Sequence, residues 1–295
     1  MAVYKRTYKA YCGPLTPARS RFTVLARYGF STLFDSRLFT AYTVLCFLPF
    51  LVGVVFIYLM HSATAQAILN VHFGNRQEIV DNRWFAGFLG VEMWMGFLLT
   101  AWGAPGMITR DFANHSIQLY LSRPLSRPEY LAGKVSVLAG LLSCTTWIPA
   151  LVLFFLQAQL EGNHWGWNNL SIAGAIILGG LLWIALISLL SMALAVWVRW
   201  RIAATGLMIG FFFLLPGLGQ AINLILRTSW GNLLNFPYLT GMVFAHLFRL
   251  PLHQLEQAGF MQIPLWSAWA ALLSVCVISL LLLDRRLQAR EVERG

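Results

Sequence analysis

Six long apolar runs, at 39–60, 84–108, 135–157, 170–196, 203–226 and 265–283, alternate with segments that hold nearly all the charge. A hydrocarbon core about 30 Å thick is crossed by roughly 20 apolar residues in a helix. The runs therefore predict an all-α membrane protein of six transmembrane helices. Lys and Arg number seven before the first run, four in 109–134, two in 197–202 and four after 283. Only Arg76, Arg83, Arg227 and Arg249 lie on the other side. Such an imbalance over alternating connections sets the orientation by the positive-inside rule, with both termini cytoplasmic.

The composition agrees, because 11% charged and 58% hydrophobic is far from the soluble average of about 25% charged. The core of such a chain is its membrane bundle. The net charge of +10 lies along the cytoplasmic boundary, where anionic headgroups attract cations, so lipid is the expected partner and nucleic acid is not. Cys12, Cys46, Cys144 and Cys276 occupy the N-terminal tail and spans one, three and six, which implies no disulfide framework. The first run is too long for a signal-peptide core, and no cleaved signal is read. His61 and His72 have no carboxylate or thiol at ligand spacing, so no metal site is expected. Asn169-Leu170-Ser171 matches a glycosylation tripeptide of a kind that recurs by chance.

Residues 1–38 read as a cytoplasmic tail followed by an amphipathic interfacial helix. Phe22, Leu25, Ala26, Gly29, Phe30 and Leu33 recur at helical spacing, opposite Arg21, Arg27, Ser31 and Asp35. The alternative is an N-terminal extension of the first span. Residues 39–283 form the six-helix domain, and 284–295 a cytoplasmic C-terminal tail. Within 109–134, a stripe of Phe112, Ala113, Ser116, Leu119 and Tyr120 ends at Pro124 and Pro128, and two prolines four apart forbid a continuous helix. Ser126 with Glu129 matches a capping box, and Pro128 suits a first turn, so a new helix is predicted to start at about Arg127.

On the outer side, 227–264 is too apolar for a solvated loop and is interrupted by Pro237 and Pro251. It is expected to form short helices re-entering the outer leaflet before the last span. Pro216-Gly217-Leu218-Gly219 is expected to break the fifth span. Close helix approach is expected at Gly206 and Gly210, and at Gly174 and Gly179-Gly180.

Ile108-Thr109-Arg110-Asp111-Phe112 and Tyr120-Leu121-Ser122-Arg123-Pro124-Leu125-Ser126-Arg127-Pro128-Glu129-Tyr130-Leu131-Ala132-Gly133-Lys134 resemble the loop after the second span of type-2 ATP-binding-cassette (ABC) permeases. The layout of the chain resembles theirs as well. Asp111 stands where that family usually has Glu. The resemblance implies the permease subunit of an ABC exporter in a cell membrane, with a bacterial inner membrane as the expected setting. It implies pairing with a second copy or a paralogue. A separate ATPase subunit would hold ATP and Mg, leaving no cofactor on this chain. By the same resemblance, the ATPase-coupling residues are Arg110, Asp111, Arg123, Pro124, Arg127, Glu129 and Lys134, and spans two and five line the pathway.

Glu92 is the one carboxylate well inside a span, where a charge costs at least about 2.5–3.5 kcal/mol. It is read as a pathway contact, a protonation-linked gate, a dimer-interface hydrogen bond or a structural hydrogen bond within the bundle. Trp94, Phe211 and Phe212 join it as pathway candidates, with Pro216 and Phe244 as the outer gate. The spans lack paired carboxylates, a His cluster or a Gly-x-Ser-x-Gly elbow, which argues against an embedded enzyme. An ion-coupled carrier or channel, or an envelope assembly subunit, are the rival classes. No Gly-x-x-x-x-Gly-Lys-Ser/Thr motif occurs.

Overall fold

The computed structural model describes residues 21–62, 64, 66, 79–113, 127–162, 164–198, 200–251 and 263–292. Among these the regular structure is entirely helical. Helix α1, Arg21–Phe34, is followed by α2, Arg37–Leu45, and α3, Leu48–His61. Ser36 separates α1 from α2, and its Oγ accepts from the Phe39 amide at 3.4 Å. Helix α1 thus ends before the first span begins. Leu25 and Leu33 on the apolar stripe are buried while Arg27 and Asp35 are exposed. The stripe faces the third span, where a Cβ at Gly29 would meet Val137 Cγ2 at 2.8 Å.

The second span is α4, Asn82–Ala113, and the third is α5, Arg127–Thr145, continued by α6, Trp147–Glu161. After the short α7, Trp165–Asn168, come the fourth span α8, Leu170–Trp197, and the fifth span α9, Arg201–Leu226. A 3-10 turn at Trp230–Leu234 and α10, Phe236–Leu247, precede the sixth span within α11, Leu265–Val292. Six helical stretches are long and apolar enough to cross a membrane.

Proline acts differently in the four spans that contain it. Pro49 and Pro149 fall in the first turns of α3 and α6, and each removes the N–H that would bond the carbonyl four residues back, at Leu45 and Thr145. Those residues end α2 and α5, so spans one and three are each two helices rather than the single runs their hydropathy suggests. Pro105 leaves α4 unbroken. The Ala101 carbonyl it frees accepts from Thr205 Oγ1 of α9 at 2.9 Å, and the next carbonyl, Trp102, accepts from Arg201 Nη2 at 3.2 Å.

The expected break at Pro216 does not occur, since α9 is continuous through it. The outer segment holds the last turns of that helix in line. A Cβ at Gly219 would meet the Gly231 carbonyl oxygen, and the Asn223 side chain accepts from Gly231 N at 2.7 Å and donates to Asn232 Oδ1 at 2.9 Å. A membrane helix tolerates proline where neighbours support the backbone in this way.

The fourth span is the hub, packing against spans two, three and six. Gly180 receives the Cβ of Trp147 and Gly179 the ring of Phe244, so these two glycines serve close approach as expected. Gly174, Gly206 and Gly210 do not: an added Cβ meets nothing within 4 Å at Gly174 and Gly206, and only Leu214 of the same helix at Gly210. Spans one, five and six bury 28%, 22% and 22% of their apolar windows, against 56% for span four. Their outward faces carry Leu51, Val55, Phe213, Leu214, Val277 and Ile278.

The buried side chains form two cores. One gathers Leu33, Phe39, Leu99, Met107, Leu138, Met192 and Ala204 toward the α1 end of the bundle. The other gathers Phe85, Leu89, Phe97, Leu153, Ile176, Phe212 and Leu239 toward the α10 end. The interruptions at Cys46-Phe47 and at Thr146 lie near the level where the two meet. Within the described part of the 227–264 connection, short helices lie at Trp230–Leu234 and Phe236–Leu247. Asn235 Oδ1 caps α10 by accepting from Tyr238 N at 3.1 Å, and Asn82 Nδ2 donates to the Phe248 carbonyl at 2.8 Å, tying α10 to the start of α4.

Candidate functional site

The first constellation lies where α4 ends and α5 begins. Asp111 is in the last turn of α4, and Tyr130 and Lys134 are one turn apart on one face of α5. Lys134 Nζ is 2.9 Å from Asp111 Oδ2 and donates to the Met107 carbonyl at 3.1 Å. The Tyr130 hydroxyl donates to the same Asp111 oxygen at 2.8 Å, and Lys134 Nζ lies 5.9 Å from the Tyr130 ring centroid. The two charged side chains are only 9% and 14% exposed, so their attraction is far less screened than that of a surface pair. The arrangement clamps the end of α4 to the start of α5.

Of the residues that the resemblance gives for coupling, Lys134 and Asp111 are largely buried and hold each other. Tyr130 belongs with them, and its four-residue spacing from Lys134 was the signal for it. Glu129 lies half-buried in the first turn of α5. Helix α5 starts at Arg127, as the capping signals predict. Arg123 and Pro124 lie outside the described residues, as do the side chains of Arg110 and Arg127.

The second constellation is a cavity of about 520 Å³ bordered by spans two, four and five and by α10. Trp94, Phe212 and Phe244 all line it. Phe212 is buried against Phe97, with ring centroids 4.4 Å apart, while Trp94 is 46% exposed and sits 6.0 Å from Phe213. Phe211 packs behind it on Phe236 at 4.8 Å. Pro216 is not part of the lining, and Phe244 meets the fourth span at Gly179 rather than the fifth at Pro216. The two residues grouped as an outer gate are thus not in one place.

Glu92 stands apart from this cavity. It is fully buried, and neither carboxyl oxygen has a hydrogen-bond partner among the described residues. Glu92 and Trp94 are about 200° apart around the helix. The Glu92 face turns toward span three, where Gly96 one turn on packs against Leu142 and Thr146. The structural hydrogen bond is therefore not found, and Glu92 is not grouped with Trp94 and Phe212.

The model of one protein family, described as ABC-2 family transporter protein, matches residues 24–292. The chain belongs to that family. It is an ABC-transporter permease and a multi-pass membrane protein, a transport subunit rather than an enzyme. No curated protein matches it. In this permease the family match spans α1 to the end of α11, so the clamp at Asp111 and the cavity beneath α10 both lie within it.

Proposed function

We propose that this permease is half of the membrane unit of an exporter, with both termini cytoplasmic. It pairs with a second permease chain and is driven by a separate ATPase that docks on the 109–134 connection. ATP and Mg reside on that ATPase. The observation that carries this reading is the buried Asp111–Lys134–Tyr130 clamp. A connection that only followed the membrane surface needs no desolvated ion pair joining its two ends, whereas one that transmits a load does. Gly206 and Gly210 on the fifth span leave its backbone open to close approach by a second chain. Trp94 and Phe212 flank the pathway, and α10 with Phe244 closes its outer end.

Reversing Arg123 and Arg127 to Glu in the full chain, co-expressed with its ATPase, tests the docking. Membrane insertion should persist while co-purification and stimulated ATP turnover are lost. Unchanged stimulation would overturn the reading. Single cysteines at Trp94 and Phe213 should crosslink across two permease chains, and crosslinks confined to span three or six would place the axis elsewhere.

A further inference from the structure

The cavity has a chemistry that names its occupant. Arg83 lies at its rim in the first turn of α4, and Met93 lines its floor with Trp183 and Phe212. Ten residues of α4 separate Arg83 from Met93, a depth of about 15 Å at 1.5 Å per residue, which is about half the thickness of a hydrocarbon core. Charge is confined to the rim. Asp81 beside it is already engaged as the helix cap: its Oδ1 accepts from the amides of Arg83 at 2.9 Å and Trp84 at 3.1 Å. Its other oxygen pairs with Arg83 Nε at 3.9 Å, a loose contact that keeps the Arg83 side chain 54% exposed at the rim.

The wall along α4 is built to leave room. At Gly87 and Gly90 an added Cβ would meet nothing within 4 Å, so these glycines are not required by packing inside the chain. Their effect is to keep a groove open from the charged rim to the apolar floor. The volume is in the range of roughly 300–1,000 Å³ typical of small-molecule sites.

We propose that this cavity binds a single-chain amphiphile with an anionic headgroup, the head on Arg83 and the chain along Gly87 and Gly90 down to Met93 and Phe212. This deepens the transport reading by naming a class of cargo, and it rests on that reading. The mostly apolar lining disfavours a wholly polar solute, with the Thr240 hydroxyl engaged by the Phe236 and Pro237 carbonyls and Trp183 Nε1 a buried donor without a partner among the described residues, and the rim cation selects against a cationic head.

The test uses the full chain in phosphatidylcholine nanodiscs, without ATP or ATPase. Lysophosphatidylglycerol brominated in the chain, which quenches Trp94 and Trp183, is compared with equally brominated lysophosphatidylcholine. Saturable quenching is expected, with about tenfold preference for the anionic head. Arg83→Gln should abolish that preference. Gly90→Leu should weaken binding of both probes about tenfold at an unchanged thermal midpoint. If Gly90→Leu lowers the midpoint, Gly87→Leu takes its place. Quenching that does not saturate and ignores the headgroup means bulk lipid contact only and overturns the proposal, as does parental binding by the leucine variant. Saturable binding in nanodiscs, together with no ATP-driven movement of the same probe in proteoliposomes that also hold the ATPase, would leave the site standing and sink the transport reading.

Discussion

Replacing Lys134 by methionine keeps most of its length but removes the charge that Asp111 faces across 2.9 Å. Asp111 would keep only the Tyr130 hydroxyl, and the Met107 carbonyl would lose its donor. Removing one member of a buried ion pair costs about 3–5 kcal/mol when the other charge is fully stranded. Asp111 retains one hydrogen bond and is 14% exposed, which brings the expected loss to about 2–4 kcal/mol. Asp111→Asn should cost less, because Tyr130 can still donate to the amide oxygen. Equilibrium unfolding of the purified chain in mixed micelles measures these losses, and the double variant closes a cycle whose coupling should be about 1–3 kcal/mol. The same variants, assembled with the ATPase, should keep basal ATP turnover but move less cargo per ATP. Additive losses, or a Lys134→Met chain as stable as the parent, would refute the clamp.

Thr205→Val leaves the Ala101 carbonyl opposite Pro105 without its partner and should cost about 1–3 kcal/mol in the same unfolding assay, with Thr205→Ser close to the parent. Gly179→Ala drives a Cβ into the Phe244 ring and should cost about 1–3 kcal/mol, whereas Gly206→Ala meets nothing in the chain and should be neutral or stabilising by about 0.5–1 kcal/mol in the isolated subunit. If Gly206→Ala instead weakens crosslinking between two permease chains, that face is the interface. Glu92→Met removes two oxygens that have no partner and should raise stability by about 1–3 kcal/mol; a destabilised variant would show that the carboxyl is bound after all.

The six spans and the α5 start were legible because each rests on a local rule. Twenty apolar residues cross a bilayer, and Ser126, Pro128 and Glu129 together mark a helix beginning. Which prolines interrupt a span was not legible. Pro49 and Pro149 coincide with helix ends while Pro105 and Pro216 do not, and at Pro105 the freed carbonyl is taken by Thr205, a residue 100 positions further along. The burial of Lys134 was not legible for a similar reason: Asp111, 23 residues earlier, folds back to it, and a basic residue near the membrane surface reads as exposed until its partner is known. That Glu92 and Trp94 face different neighbours was legible, since two residues apart on a helix point to opposite sides.

The two stacked cores give the interrupted spans a mechanical meaning. Helices α2 and α5 contribute to the core at the α1 end, and each stops at a break, at Leu45 and Thr145, before its span continues. Helix α4 alone among the first three spans runs unbroken through both levels. Displacement applied at the Asp111 end would therefore swing α1, α2 and α5 as one block, while α4 carries the same motion upward as a stiff rod to the cavity wall at Gly90 and Gly87. In engineering terms the second span is the pushrod, and the first and third are its jointed guides.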